Sequence, residues 1–289
     1  VTEIVKIAAN HRVPIYPISR GKNWGYGDAC PVTDGQVIVD LQRMNRIVEV
    51  NSDLAYAVIE PGVTQGQLAD HLRDTGSGLM LDVTGAGPDA SIVGNTLERG
   101  FGHTPYGDHF AHSCGMEVVL ADGSVINTGF GAFENAQADK VFPWGLGPYL
   151  DGLFTQSNLG VVTKLCLHLM PTSPYVEAFA MLIHDPAQLG GVVECLRELR
   201  LSETVRSTVH IANDLRVLSS RDRFRKPIAE APSPLPTSLR ESLRKQAGLG
   251  AWNLFGGLYG PRELRRGLRS VVRKAFRRTA KVIFFDRRK

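Results

Sequence analysis

No stretch of this 289-residue chain is apolar for long enough to form a membrane-spanning helix, so the sequence excludes a helical membrane protein. Cysteine is scarce. Cys30, Cys114, Cys166 and Cys195 stand far apart and never form Cys-x-x-Cys, so neither a zinc site nor a disulfide framework is indicated, and each reads as a small buried hydrophobe. The start lacks the basic, apolar, small-residue pattern of a secretory leader. Val1 already lies in what reads as a helix ending near His11, so a trimmed or unrecorded N-terminus is expected. The compartment of a soluble protein, cytoplasmic or periplasmic, stays open.

Acidic residues are also missing from the last quarter. Residues 221–289 hold 19 Lys and Arg against 5 Asp and Glu, net +14, whereas residues 1–220 hold 14 against 24, net −10. Such a basic block suits nucleic acid, an acidic membrane or a protein partner, or else it is the solvated coat of helices whose acidic neighbours lie elsewhere. The second reading is preferred, because the arginines interleave with a helical apolar pattern and no nucleic-acid motif accompanies them. Neither nucleic acid nor membrane is therefore expected as a partner.

What the chain does have is a basic, glycine-rich stretch from Ser19 to Gly27 (SRGKNWGYG). Its glycines permit backbone conformations in which successive N–H groups converge on one anion, and Arg20 and Lys22 add positive charge there. An ordinary surface turn would look much the same. Around it, residues 14–18, 36–41 and 56–60 read as strands, the last two buried and separated by polar turns, and residues 68–74 as a helix stopped by Gly76. Next comes a second unit. It has a candidate strand at 79–83, the loop TGAGPDASIVGN at 84–95, a hairpin of 117–120 and 124–127 turning on the two residues Asp122 and Gly123, and an apolar strand at 161–169. Two α+β lobes whose glycine-rich loops face one gap suit a dinucleotide held between them.

From Tyr175 the pattern changes to strand, helix, strand (178–184, 186–200, 207–212), then again strand, helix, strand (252–259, 262–279, 282–285). Leu264, Leu268, Val271, Val272, Ala275 and Phe276 recur at helical spacing under the arginine coat. This is a separate α+β domain with helices on one sheet face. The boundary is expected between Met170 and Tyr175, giving domains 1–172 and 173–289, and the Pro-rich, charged residues 221–239 read as a loop or mobile segment.

Two alternatives fail on context. Gly85-x-Gly87-x-x-Ala90 imitates a nicotinamide-dinucleotide fingerprint, but that fingerprint requires a long helix, and Gly94, Gly100, Gly102 and Pro105 interrupt the stretch where it would have to form. His103, Asp108, His109, His112 and Cys114 crowd together without a metal-binding spacing, so no metal is assigned.

SRGKNWGYG and, downstream and in order, the three motifs TGAGPDASIVGN (84–95), NTLERGFGHTPYGDHF (95–110) and PYLDGLFTQSNLGVVTK (148–164) resemble the flavoprotein family of vanillyl-alcohol oxidase and p-cresol methylhydroxylase. The likeness spans the whole chain but only the middle half of a family member, so the chain reads as partial. The resemblance implies an α+β fold, a two-lobed FAD-binding domain followed by part of a substrate-capping domain, and FAD as cofactor. It implies that Arg20, Gly21, Lys22, Asn23, Trp24 and Gly25 hold the pyrophosphate. Thr84, Ser91, Gly94, Asn95, Glu98, Gly100, His103 and Asp108 would lie along the flavin, with the backbone of Gly160 and Val161 against it. Tyr26 would be the catalytic contact to a phenolic oxygen, where fixed donors hold the anion formed as the para carbon loses hydride and a quinone methide results.

The implied activity is oxidation or hydroxylation of para-alkylphenols such as p-cresol, the alternative being a partial FAD-binding module without a substrate site. NTLERGFGHTPYGDHF looks closer to the methylhydroxylase branch, whose acceptor is a cytochrome c, than to the oxidase branch, whose acceptor is oxygen; the acceptor stays open between the two, and a homo-oligomer is possible. There are departures. The family's flavin-tuning aspartate is replaced by Gly85 or Ala86, with Asp82 and Asp89 to either side. The Tyr-Arg pair of the phenolate site and the covalent flavin-linkage residue belong to later family segments without a counterpart here.

Overall fold

The computed structural model describes residues 1–23, 27–173, 175–221 and 230–285. Trp24, Gly25 and Tyr26, and residues 222–229 of the Pro-rich segment, lie outside the described residues. The chain divides into two compact units, Val1–Gly102 with Tyr106–Thr172, and His103–Pro105 with Ser173–Lys289.

In the first unit, helix α1 (Thr2–His11) ends where Arg12 turns left-handed at φ 53° and the Val13 N–H reaches back to the Ala8 carbonyl. Strands β1 (Ile15–Ile18) and β2 (Val37–Asp40) pair in parallel, and β1 delivers the chain to Ser19. The main sheet takes β3 (Ile47–Asn51), β4 (Tyr56–Ile59), β6 (Ser113–Leu120), β7 (Val125–Asn127) and β8 (Gly160–His168) in the antiparallel order β3-β4-β8-β6-β7. β3 carries a bulge between Ile47 and Glu49.

Both faces of this sheet are covered, which is why β4 is buried along its whole length. On one face Ala57, Ile59, Val118 and Leu165 pack against Leu68 and Leu72 of helix α2 (Gln65–Asp74) and Val93 of the short helix α3 (Ile92–Leu97). On the other, Val119 and Val161 meet Val5 of α1 with Val39 and Leu41. Each fully buried leucine here contributes about 1.5–3 kcal/mol. Thr64 caps α2 by accepting from the Gln67 N–H at 3.1 Å, and Gly76, left-handed at φ 63°, lies just beyond its end. A two-stranded ribbon of β5 (Leu79–Met80) and β9 (Met170–Pro171) closes the unit.

The second unit is a four-stranded antiparallel sheet, ordered β11 (His210–Asn213), β12 (Trp252–Gly260), β10 (Tyr175–Ile183), β13 (Val282–Phe285). Alternate residues of β10, Tyr175, Phe179, Met181 and Ile183, meet α4 (Leu189–Leu201) through Val192, Leu196 and Leu199 and α7 (Arg265–Phe276) through Val272 and Phe276. Glu177 shares that face at 1% exposure. It accepts from Tyr175 Oη at 2.5 Å, Arg269 Nε at 2.6 Å and Arg265 at 3.2 Å, which makes burying the charge tolerable. Asp214, fully buried at the start of α5 (Asp214–Arg221), receives three bonds from Arg240, two from Nε and one from Nη2, tying down α6 (Thr237–Gln246), a helix with no buried residue of its own.

Several expectations are corrected. β2 is not a buried strand, since Val37 and Ile38 are exposed on a two-stranded sheet. The stretch before β4 contains β3 rather than turns alone, and the candidate strand at 79–83 is paired only over Leu79–Met80. The hairpin turns on Ala121, Asp122 and Gly123. Gly123 alone of these is left-handed (φ 81°), its N–H bonds the Leu120 carbonyl, and Leu120 N–H bonds Ser124, which makes a three-residue loop. A helix, α3, does begin after Ser91, but it is six residues long and feeds no parallel sheet, so the nicotinamide fold stays excluded. Part of the Pro-rich segment is helical, because α6 begins at Thr237.

Candidate cofactor site

Loop 84–91 is shaped by the first turn of α2. Gln65 Nε2 donates to the carbonyls of Thr84 (3.2 Å) and Gly87, while its Oε1 accepts from the Thr84 N–H (3.2 Å). The N–H groups of Gln65 and Gly66 bond the carbonyls of Ala90 and Pro88 at 2.9 Å. Ser91, buried, donates to the Pro61 carbonyl at 2.7 Å and accepts from Gly94 N–H at 2.9 Å, capping α3. The loop is therefore held on backbone anchored in the core.

Loop 19–23 meets α3. A side chain at Gly94 would overlap the Ser19 hydroxyl, so glycine there is a requirement of close approach between the two glycine-rich segments. Gly21 takes φ 59°. Among the described residues, the N–H groups of Ser19–Asn23 make no main-chain hydrogen bond and neither Arg20 nor Lys22 has an ion pair. N–H groups without a described main-chain partner and two cations beside a second loop suit an anion.

Beneath α3, His109 stands between two partners. Its Nδ1 is 2.5 Å from Asn95 Oδ1 and its Nε2 3.2 Å from Asp82 Oδ1, with side-chain exposures of 11% for His109 and 3% for Asp82. A side chain at Gly100 would overlap the Asn95 amide, and one at Gly102 the Asp82 carboxylate. Asp82, Asn95 and His109 line a narrow cavity of about 20 Å³ together with Gln65, Thr84 and His168. Burial holds the His168 imidazole below its ordinary value, against a hydrogen bond to the Lys140 carbonyl.

The proposed site residues thus fall into groups. Arg20, Gly21, Lys22, Asn23, Thr84, Ser91, Gly94 and Asn95 belong to the two touching segments. Trp24, Gly25 and Tyr26 lie outside the described residues. Glu98 is exposed at the C-terminal end of α3, its carbonyl accepting from Gln156. Gly100 gives clearance to Asn95. Asp108 turns its carboxylate on the Ala111 N–H at 3.0 Å and so shapes its own turn. His103 clusters with the second unit, its ring 4.2 Å from that of His210. Gly160 leaves room for Val118 and Phe154, and Val161 points into the core. Sequence reasoning passed over Ser19, Gln65 and the Asp82–His109 contact, whose partners lie 19 or more residues apart with no spacing rule to join them.

Comparison with known proteins adds to this geometry. Residues 1–129 match the FAD binding domain family model. The flavoprotein subunit of 4-cresol dehydrogenase [hydroxylating] from Pseudomonas putida is 43% identical over 263 residues, 91% of this chain and 50% of that protein. The 1'-carboxy-chondrochloren decarboxylase of Chondromyces crocatus is 45% identical over 277 residues, 95% of this chain and 51% of that protein. A solved structure of p-cresol methylhydroxylase with substrate bound superposes with a TM-score of 0.95 at 40% identity, covering 98% of this chain and 55% of that one. The fold and its first unit define a flavoprotein of the FAD-binding class, with FAD as cofactor.

Within that class the chain belongs to the vanillyl-alcohol oxidase and p-cresol methylhydroxylase family. It spans about half the length of the curated relatives it matches. The residues present fit a dinucleotide: cations and N–H groups without a described main-chain partner suit a pyrophosphate, and the close approach at Gly94 leaves backbone rather than side chain beside it. Among the described residues no helix is long and apolar enough to cross a membrane.

Proposed function

We propose that this chain is the FAD-binding part of an oxidoreductase that oxidises or hydroxylates para-alkylphenols. The observation that carries the reading is the meeting of Ser19 with Gly94, which brings the basic loop and the helix bearing Asn95 to one place. Support for the substrate class comes from the matched 4-cresol dehydrogenase [hydroxylating] subunit and the solved p-cresol methylhydroxylase structure, two names for one activity.

Arg20 and Lys22 would neutralise the pyrophosphate, Thr84, Ser91, Gly94 and Asn95 would hold the flavin side, and Tyr26 is the residue the family resemblance assigns to the phenol. FAD, when bound, supplies the acceptor for hydride leaving the benzylic carbon. The protein's task is orientation and the holding of negative charge on the phenolic oxygen. The electron acceptor in this reading is a partner protein of the cytochrome c class; the name of the Pseudomonas putida relative, a flavoprotein subunit, supports a partner subunit and does not say which.

The test is anaerobic mixing of the FAD-loaded full-length protein with p-cresol. Bleaching of flavin absorbance is expected, then reoxidation with cytochrome c faster than with air. A protein that takes up FAD but is not bleached by any para-alkylphenol overturns the substrate class. The Chondromyces crocatus relative favours a second reading, loss of a carboxyl group from a carboxylated substrate. Release of carbon dioxide from such a compound, with no bleaching by p-cresol, would select it.

A further inference from the structure

We propose that Arg99, Thr155 and Gln156 are positioning residues for the cofactor: they clasp the C-terminal end of α3 to the segment that enters β8, and so fix Gly94 and Asn95 relative to Gly160 and Val161. This rests on the proposed FAD reading and extends it to a contact that reading does not use.

A helix of six residues does not stand alone, so α3 depends on what closes its ends. Ser91 caps its start. At its other end the carbonyls of Gly94, Asn95 and Thr96 accept from the N–H groups of Glu98, Gly100 and Arg99, at 3.1, 2.8 and 3.0 Å, within the turn that follows. The next two carbonyls are met by a residue 58 positions beyond Glu98. Gln156 donates its N–H to the Leu97 carbonyl at 2.9 Å and its Nε2 to the Glu98 carbonyl at 3.3 Å.

Arg99 returns the contact. Its Nε and Nη2 donate to Thr155 Oγ1 at 3.1 and 3.0 Å, and that hydroxyl, on a residue 4% exposed, donates to the Gly152 carbonyl at 3.0 Å. Arginine can only donate and a carbonyl only accept, so the direction of every bond is fixed and the hydroxyl's one donor and two acceptor sites are all used. Arg99 and Gln156 are both left-handed, at φ 52° and 47°, a conformation that residues with side chains keep where their surroundings hold them.

The clasp joins two stretches that the family resemblance assigns to one cofactor. Phe154, just before it, belongs to the same core cluster as Val93 of α3, and four residues after Gln156 the chain enters β8 at Gly160. On its far side α3 meets loop 19–23 at Gly94, where a β-carbon would overlap Ser19. A shift of α3 released at its C-terminal end therefore alters that contact and the spacing to β8 together.

The test measures FAD dissociation constants by quenching of flavin fluorescence, the visible circular dichroism of bound flavin at saturation, and urea midpoints without FAD, all on the full-length protein. Thr155→Val is expected to weaken FAD about tenfold and to change the flavin dichroism, and Thr155→Ser to restore both to within about twofold. Arg99→Lys keeps the charge but not the two-pronged bond and is expected to weaken FAD about threefold or more. Thr128→Val is the control for lost stability, since Thr128 is 1% exposed, accepts from the Met116 N–H at 2.8 Å and lies in no segment assigned to the cofactor. It is expected to lower the urea midpoint and leave affinity and dichroism unchanged. Wild-type affinity and dichroism in Thr155→Val, or the same changes in Thr128→Val, overturn the clasp. Arg99 is exposed, so where Thr155→Val fails to fold, an unchanged dissociation constant in Arg99→Lys overturns it. Wild type that takes up no FAD overturns the cofactor reading itself, whereas wild type that binds FAD beside variants that bind it equally well overturns the clasp alone.

Discussion

Gln65 and Thr84 exchange two hydrogen bonds of 3.2 Å, the glutamine amide donating to the Thr84 carbonyl and accepting from its N–H. A side chain buried at the head of α2 thereby acts as a strand edge for a loop that has no strand beside it. Gln65→Ala leaves these main-chain groups without partners and is expected to cost about 1–3 kcal/mol, with weaker FAD binding. Gln65→Glu is expected to be worse, because a carboxylate in place of Nε2 faces the Thr84 and Gly87 carbonyls. Urea denaturation and fluorescence titration with FAD check both.

Arg20 and Lys22 make no ion pair among the described residues, so their charge can serve a ligand. Arg20→Ala and Lys22→Ala are each expected to weaken FAD by about tenfold at low salt and less at high salt, since exposed charges are screened. Titrations at two ionic strengths separate this from a loss of folding, which would show in the thermal melt.

Glu177 and Glu60 make the fold acid-sensitive. Burial raises the Glu177 carboxyl, but bonds from Arg269, Tyr175 and Arg265 outweigh it and hold the group below its ordinary 4.5. Burial likewise raises Glu60, and Arg46 more than compensates. A carboxyl depressed on folding stabilises the protein above its unfolded value, and that contribution is lost as pH falls through the folded one. These two groups therefore contribute nothing to the slope between pH 6 and 7 and a steep loss below about 4.5. Glu177→Ala strands two arginines and is expected to cost about 3–5 kcal/mol at pH 7 while flattening the acid limb. Urea midpoints measured from pH 7 to 3 decide this.

The thiols should divide by depth. Burial, with Asp151 adding to it, pushes Cys114 up to about 12, and burial raises Cys166 as well. Cys30 is exposed. Alkylation of the native protein at pH 8 is expected to modify Cys30 readily and Cys114 and Cys166 only after unfolding, as read by peptide mass spectrometry.

Local pattern made much of this fold legible. Tyr56–Ile59 is β-branched and apolar because both of its faces are covered, and the arginine-coated α7 shows its apolar stripe because Val272 and Phe276 seat in the core. β3 was missed because Glu49 and an exposed Val48 blur its alternation at a sheet edge. α6 was missed because an ion pair, Arg240 with Asp214, holds it in place of an apolar stripe. At the site, the glycines of residues 19–27 and 84–95 mark the touching loops, but the physical reasons for individual glycines differ. Gly94 clears Ser19, while Gly100 and Gly102 clear side chains brought together only by the tertiary fold. No spacing along the chain announces a contact between Asp82 and His109.

The main sheet of the first unit also bears on how the protein behaves in concentrated solution. Its two outer strands are β7, three residues long, and β3, interrupted by a bulge. Neither offers a neighbouring molecule a flat row of unpaired backbone groups to extend. The architecture thus guards itself against edge-to-edge aggregation at both rims, leaving the well-paired strands inside to carry the hydrophobic sequences that would otherwise invite it.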